Sequence, residues 1–269
     1  MKQTFFIALL IISVSGYAQE LFSATEPASN KAAKSIVFRM DNLIMDEVNS
    51  SKTNYHLIPE IMIGLSGKLT VAGNVFFSNR KEKFRYEGGS VYAKYRFFSK
   101  DAMQRHFRMA LFGRLSYNNS DIHQEEINMN GHNSGFETGI VATQLLKKIA
   151  LSTSVSYLDA SNNGKGNKFV YGLENGRAIN TTLSVGKLML PKEYKNFRQT
   201  NLNLMVEFLS QVNMGSGKYY FDIAPAVQLI VNSQSRIDVG YRQELTGSVL
   251  RTAPNGLFIR IEHNLFNAF

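Results

Sequence analysis

Residues 107–118 read FRMALFGRLSYN and divide by parity into two unlike faces. Phe107, Met109, Leu111, Gly113, Leu115 and Tyr117 form one; Arg108, Ala110, Phe112, Arg114, Ser116 and Asn118 form the other. A period of two belongs to a β-strand, whose successive side chains point to opposite sides. A soluble core does not accommodate so many arginines on one strand, so the apolar face must meet something other than that core.

The contrast recurs outward from this stretch. Val91, Ala93, Tyr95 and Phe97 alternate with Tyr92, Lys94, Arg96 and Phe98, and Leu257, Ile259 and Ile261 alternate with Phe258, Arg260 and Glu262. It appears again in 69–78, 149–157 and 203–208. Twelve strands are expected, at 35–45, 55–64, 68–79, 89–98, 106–118, 134–145, 149–159, 178–189, 200–211, 218–231, 235–246 and 256–267. Short connections (65–67, 146–148, 232–234) alternate with longer polar ones (80–88, 119–133, 160–177). An even strand number with short turns at one end and long loops at the other is the arrangement of a transmembrane barrel. Hydrocarbon supplies no hydrogen bonds, so such a sheet must close on itself.

The N-terminus reads as an export signal: Lys2 precedes the apolar run 5–14, and Gly16, Tyr17 and Ala18 offer a small-residue cleavage site. The expected organisation is a signal peptide over 1–18, a small and polar periplasmic tail over 19–34, and one all-β barrel domain over 35–269. The apolar run is too short for a helical span. The absence of cysteine excludes disulfides, thiolate metal sites and a lipid-modified cysteine.

With an export signal, twelve alternating segments and a final Phe269 after Leu265 and Phe266, the chain resembles Gram-negative outer-membrane β-barrel proteins, without pointing to a subfamily. The resemblance implies a location in the outer membrane, with its lipids, lipopolysaccharide and barrel assembly machinery as partners, and makes Phe269 an assembly signal. A secreted β-sandwich also alternates, but the even strand count, loop asymmetry and terminal aromatic favour the barrel.

In a barrel with its apolar face toward lipid, the lumen receives Lys94, Arg96, Arg108, Arg114, Arg236, Arg242 and Arg260 against Glu137, Glu207, Asp222, Asp238 and Glu262. These groups either pair and brace a closed interior or line a narrow aqueous path for small polar or anionic solutes. Lys68, Lys100, Arg105, Lys147, Lys148, Lys187, Lys192, Lys195 and Arg198 gather at the short-turn end, against Asp101 and Glu193, and carry most of the net charge of +9. That rim suits anionic headgroups. Nucleic acid is excluded by the export signal and by the placement of the charge.

Other motifs carry less. Gly215, Ser216, Gly217 and Lys218 form a hairpin loop rather than a phosphate loop, since Val212 and Tyr219 break the pattern. Ala253, Pro254, Asn255 and Gly256 are turn chemistry. The segment 119–133 (NSDIHQEEINMNGHN) holds Asp121, His123, Glu125, Glu126 and His132, but at no standard metal spacing, and reads as an acidic solvated loop near lipopolysaccharide. No metal or other cofactor is implied. His132, Ser134 and Asp159 bear a slight likeness to outer-membrane phospholipases, but the rest of that motif, including its tryptophan, is missing. His56, His106 and His263 are isolated in sequence, and Tyr55, Tyr117, Tyr157, Tyr219, Tyr220 and Phe266 suit interfacial girdles. The expected function is a channel or transporter for small polar or anionic solutes; the alternatives are an accessory barrel in an envelope complex and, more remotely, a lipid hydrolase.

Overall fold

The computed structural model describes residues 22–48, 52–80, 83–103, 105–168, 173–193 and 199–269. The expected signal peptide and the two rim cations Lys195 and Arg198 lie outside the described residues. Twelve antiparallel strands close into one barrel. They are β1 (Ser35–Asp46), β2 (Thr53–Gly64), β3 (Leu69–Ser78), β4 (Arg85–Ala102), β5 (Arg105–Asn118) and β6 (Ser134–Leu146), then β7 (Ile149–Ser161), β8 (Arg177–Leu190), β9 (Asn201–Asn213), β10 (Tyr219–Val231), β11 (Ser235–Gly247) and β12 (Asn255–Leu265). Each strand pairs with its neighbours in sequence, and β1 meets β12 in a register running from Ile36 opposite Leu265 to Asp46 opposite Asn255. That last ladder leaves no free edge, as a sheet in lipid requires.

The wall is inverted relative to a soluble fold. Along β10, Phe221, Val227 and Leu229 are exposed on the outside, whereas Asp222, Ala224, Ala226 and Gln228 are buried inside. β7 repeats the rule, with Leu151 and Val155 outward and Ser152 and Ser156 inward. Arg39, Glu60, Lys94, Glu207, Arg236, Asp238 and Glu262 all face the interior and are almost wholly buried.

The strand ends follow the turn chemistry. Between β10 and β11, Asn232 and Ser233 both take positive φ (52° and 55°), and the Gln234 N–H closes the turn on the Val231 carbonyl at 3.1 Å. This mirror-image turn matches the twist of the flanking strands. At the long-loop end Gly88 (φ 156°) and Gly135 (φ 137°) let β4 and β6 bend beside their neighbours, where an added Cβ would stand 2.0 Å from the Tyr117 carbonyl oxygen and 2.1 Å from that of Asp159. β4 runs several residues past the expected 89–98 at both ends, and its register shifts between Arg96 and Phe98.

A charge forced onto the outer face measures the inversion directly. Leu183, near the middle of β8, is 43% exposed on that face. Leu183→Arg is predicted to destabilise the barrel by about 2–4 kcal/mol in denaturant unfolding from phospholipid vesicles. A cost near zero would place that face in water.

Candidate functional site

The lumen is the candidate site, and two pieces of chain fill most of it. The first is the segment 22–34, expected as part of a periplasmic tail. The structure places it inside the barrel instead, as an arch that rises from the short-turn end to mid-height and returns. Phe22 is buried among Ala150, Met205 and Ala226, with Leu145 and Phe258 beside them, while Arg236 Nη2 donates to its carbonyl (2.8 Å). Glu207 then accepts three successive backbone amides: Ser23 and Ala24 donate to Oε1 and Thr25 to Oε2, each at 2.8 Å. Lys94 Nζ donates to the Pro27 carbonyl (2.7 Å), and the Ala28 N–H donates to Thr143 Oγ1 (2.9 Å). On the way down Lys31 pairs with Glu262 (2.7 Å).

The physical reason is the width of the wall. An eight-stranded barrel is filled by its own side chains, but a wider one is not. Buried charges then need partners from elsewhere, and the amides of a small, polar segment supply them. At the top of the arch Glu26 pairs with Arg39, which also meets Glu60 (3.1 Å) and Glu262 (2.9 Å). Burial opposes the charge on Glu26, but Arg39, Lys94, Arg260 and Lys31 outweigh it and hold the carboxyl well below its ordinary value.

The second filling piece is the loop 119–133, expected to be solvated. It folds inward at the long-loop end and buries Glu125 and Glu126. Gln211 clamps it by both amide atoms, accepting from the Ile127 N–H (2.9 Å) and donating to the Ile127 carbonyl (2.8 Å). Ile122, Ile127 and Met129 pack on Leu158, Ala160 and Ala178. Glu126 lies between Arg251 (2.8 Å) and Arg242 (3.2 Å), and both arginines also reach Asp222. Tyr220 lies under both guanidinium groups, 5.3 Å from Arg242 and 4.2 Å from Arg251. It is therefore part of this clamp rather than of an interfacial girdle.

Two of the loop's candidate ligands, Glu125 and His132, are engaged by side chains. Glu125 pairs with Lys218 (2.6 Å), and His132 faces Arg80 Nη1 (3.0 Å) while stacking on His56 at 4.9 Å. His56 is thus not isolated in space. Among the described residues no group of three or more His, Cys, Asp or Glu is arranged to hold a metal ion. Nor do His132, Ser134 and Asp159 come together as one cluster. Ser134 Oγ accepts from the Asn118 N–H (2.9 Å) and donates to the Asn118 carbonyl (3.2 Å), while Asp159 accepts from Tyr157 (3.0 Å) and pairs with Arg177 (3.3 Å).

Between arch and loop lies a chamber of about 240 Å³, lined by charges of both signs and by Tyr92, Phe112 and Tyr220. Of the residues expected in the lumen, Arg114, Glu137, Arg242 and Arg260 line it. Lys94, Glu207, Arg236, Asp238 and Glu262 hold the arch, Asp222 holds the clamp, and Arg108 reaches Ser29 Oγ (3.2 Å). Arg96 departs from the set: beside the register shift in β4 its Nη2 donates to the Gly67 carbonyl (2.6 Å) at the short-turn rim. Sequence reasoning did not single out Arg39, Asp41, Glu60, Arg251 or Glu26. The alternation of Phe38 and Met40 with Arg39 and Asp41 in β1 carried the signal for two of them.

By sequence the chain matches no protein-family model and no curated protein. By structure it is similar to an outer-membrane channel from Pseudomonas putida F1, with TM-score 0.58 and 11% identity over 90% of this chain and 100% of that one. CdiB from Escherichia coli (TM-score 0.41, 6% identity, 86% of this chain and 63% of that one) and OccK1 from Pseudomonas aeruginosa (0.39, 9%, 86% and 97%) are more distant and carry no argument. The shared feature is the fold: a closed barrel of the kind found in Gram-negative outer membranes.

The two filling pieces should respond differently to acid. Burial, with Arg80 close by, holds the His132 imidazole well below its ordinary value of 6.5. In a released loop that value returns, so protonation favours release and closure weakens as pH falls below 6.5. Glu26 has a depressed value against an ordinary 4.5, so its contribution is full above 4.5 and is lost only as pH falls below it. A spin label at Asn128 should therefore gain mobility between pH 7 and about pH 5, while one at Ala24 stays immobile. Release in the reverse order would contradict this assignment.

Proposed function

We propose that the protein is a channel of the Gram-negative outer membrane for small polar solutes, held closed at rest by the arch and the inward loop. The observation that carries this reading is the form of the arch. Both of its ends lie at the short-turn end, so it can withdraw toward that side without threading through the barrel. What it leaves behind is a lumen lined by charged and amide side chains in a wall of twelve strands, wider than the eight-stranded barrels that side chains alone fill. The chamber walls carry both signs, which suits polar solutes in general better than anions alone.

In this reading residues 1–18 direct export and are removed, the short turns face the periplasm, and Phe269 serves assembly. The basic residues Lys68, Lys147, Lys148 and Lys192 then lie beside anionic headgroups, which attract them. A second reading, an accessory barrel in an envelope complex, draws on the fact that both ends of the lumen are filled. Co-purification with a stoichiometric partner after mild detergent extraction, together with an absence of conductance, would favour it.

Conductance in planar bilayers tests the channel. The intact protein is expected to show rare, small steps. Deletion of residues 22–32 should give steady, larger ones, and Glu207→Ala should lie between, because it removes the acceptor of three arch amides. Silence from all three, with each shown to be folded by heat-modifiable migration, would overturn the proposal.

A further inference from the structure

The charged groups of the chamber are matched almost completely. Arg39 meets Glu26 and Glu60, Arg260 meets Asp41, and Arg242 meets Glu126. Arg114 and Glu137 are the exceptions: among the described residues neither forms an ion pair, although both line the chamber. They stand directly opposite one another in the β5–β6 register, where facing side chains ordinarily meet. Here they lean apart. Arg114 turns toward β4 and the inward loop, donating to Ser90 Oγ (2.7 Å) and Asn130 Oδ1 (3.1 Å) with its guanidinium 5.0 Å from the Tyr92 ring. Glu137 turns toward β7 and accepts from Ser156 Oγ (2.6 Å).

Arg114 reaches the charge of Glu60 only beyond ion-pair distance, both it and Glu137 are partly exposed to the chamber, and a facing cation and anion that decline each other leave two complementary subsites. A guanidinium presents a planar fork suited to a carboxylate, and a carboxylate accepts well from an ammonium. Phe112 supplies an apolar surface beside them. Its ring lies where a side chain at position 139 would begin, 2.6 Å from an ideal Cβ, and its centroid is 6.1 Å from that of Tyr92. The chamber's 240 Å³ is many times what a single water occupies.

We propose that the chamber binds a small zwitterion of the α-amino acid class, its carboxylate on Arg114, its ammonium on Glu137 and its side chain against Phe112. This deepens the channel reading by naming the solute that pauses at mid-barrel, and rests on that reading for its purpose. Binding itself is measurable without conduction.

Equilibrium dialysis of the full-length protein in detergent against radiolabelled L-alanine, propionate and ethylammonium provides the test. L-Alanine should bind at least about tenfold more tightly than either half-molecule, since each loses one charge-assisted hydrogen bond. Arg114→Gln should remove the preference over ethylammonium, and Glu137→Gln the preference over propionate. Equal binding of the three probes by the unaltered protein would overturn the proposal, and that comparison stands even if a variant fails to fold. So would L-alanine binding that both variants leave unchanged. Silent bilayers with intact L-alanine preference would refute the channel and leave the site, whereas steady conductance without that preference would do the reverse.

Discussion

Hydrocarbon cannot accept or donate a hydrogen bond, and that one deficit organises the molecule. It forces the sheet to close between β1 and β12, and it sends the apolar half of every strand outward. The inward charges, Arg39, Glu60, Lys94, Glu207, Arg236, Asp238 and Glu262 among them, are thereby concentrated in a lumen too wide to be filled by side chains from the wall alone. Groups such as Glu207, Asp238 and Arg236, driven inside, then need partners, and the backbone of residues 22–25 provides them. The filled lumen is thus a consequence of the wall's inversion.

The two filling pieces are built on different chemistry. The arch is held chiefly through its own backbone, by side chains that project from β4, β6, β9 and β11, so few of its own residue types matter beyond Phe22, Glu26 and Lys31. The inward loop is held by side chains of both parties: Glu126 between two arginines, Ile127 and Met129 in an apolar patch, and Gln211 along the backbone. Removing one member of such a buried ionic group leaves the others uncompensated, so the cost falls on the whole cluster. The arch begins close to the barrel's end, which makes it the piece better suited to move.

The wall was legible in the sequence because period-two alternation is a local signal that a membrane sharpens. The limits of β5, β6 and β7 follow it to within two residues. The contents of the lumen were not. Residues 22–34 lack periodicity because their partners are spread over the barrel, from Arg39 to Glu262, and no local pattern encodes such contacts. In the loop, Ile127 and Met129 at a spacing of two were the visible sign of burial, masked by the acidic residues around them. Arg96 had the inward parity but lies at the rim, where the shift in β4 changes the register. Tyr220 was assigned by position near a strand end, although its parity, shared with Asp222, pointed inward.

The inversion itself is open to a direct measurement. The chain has no cysteine, so single cysteines at Val227 and Gln228 can carry a fluorophore in reconstituted vesicles, with a quencher attached to the lipid acyl chains. The fluorophore at 227 should be strongly quenched by the lipid and that at 228 hardly at all. Equal quenching at both sites, or quenching at 228 alone, would contradict an apolar face turned to the membrane and a polar one turned to the lumen.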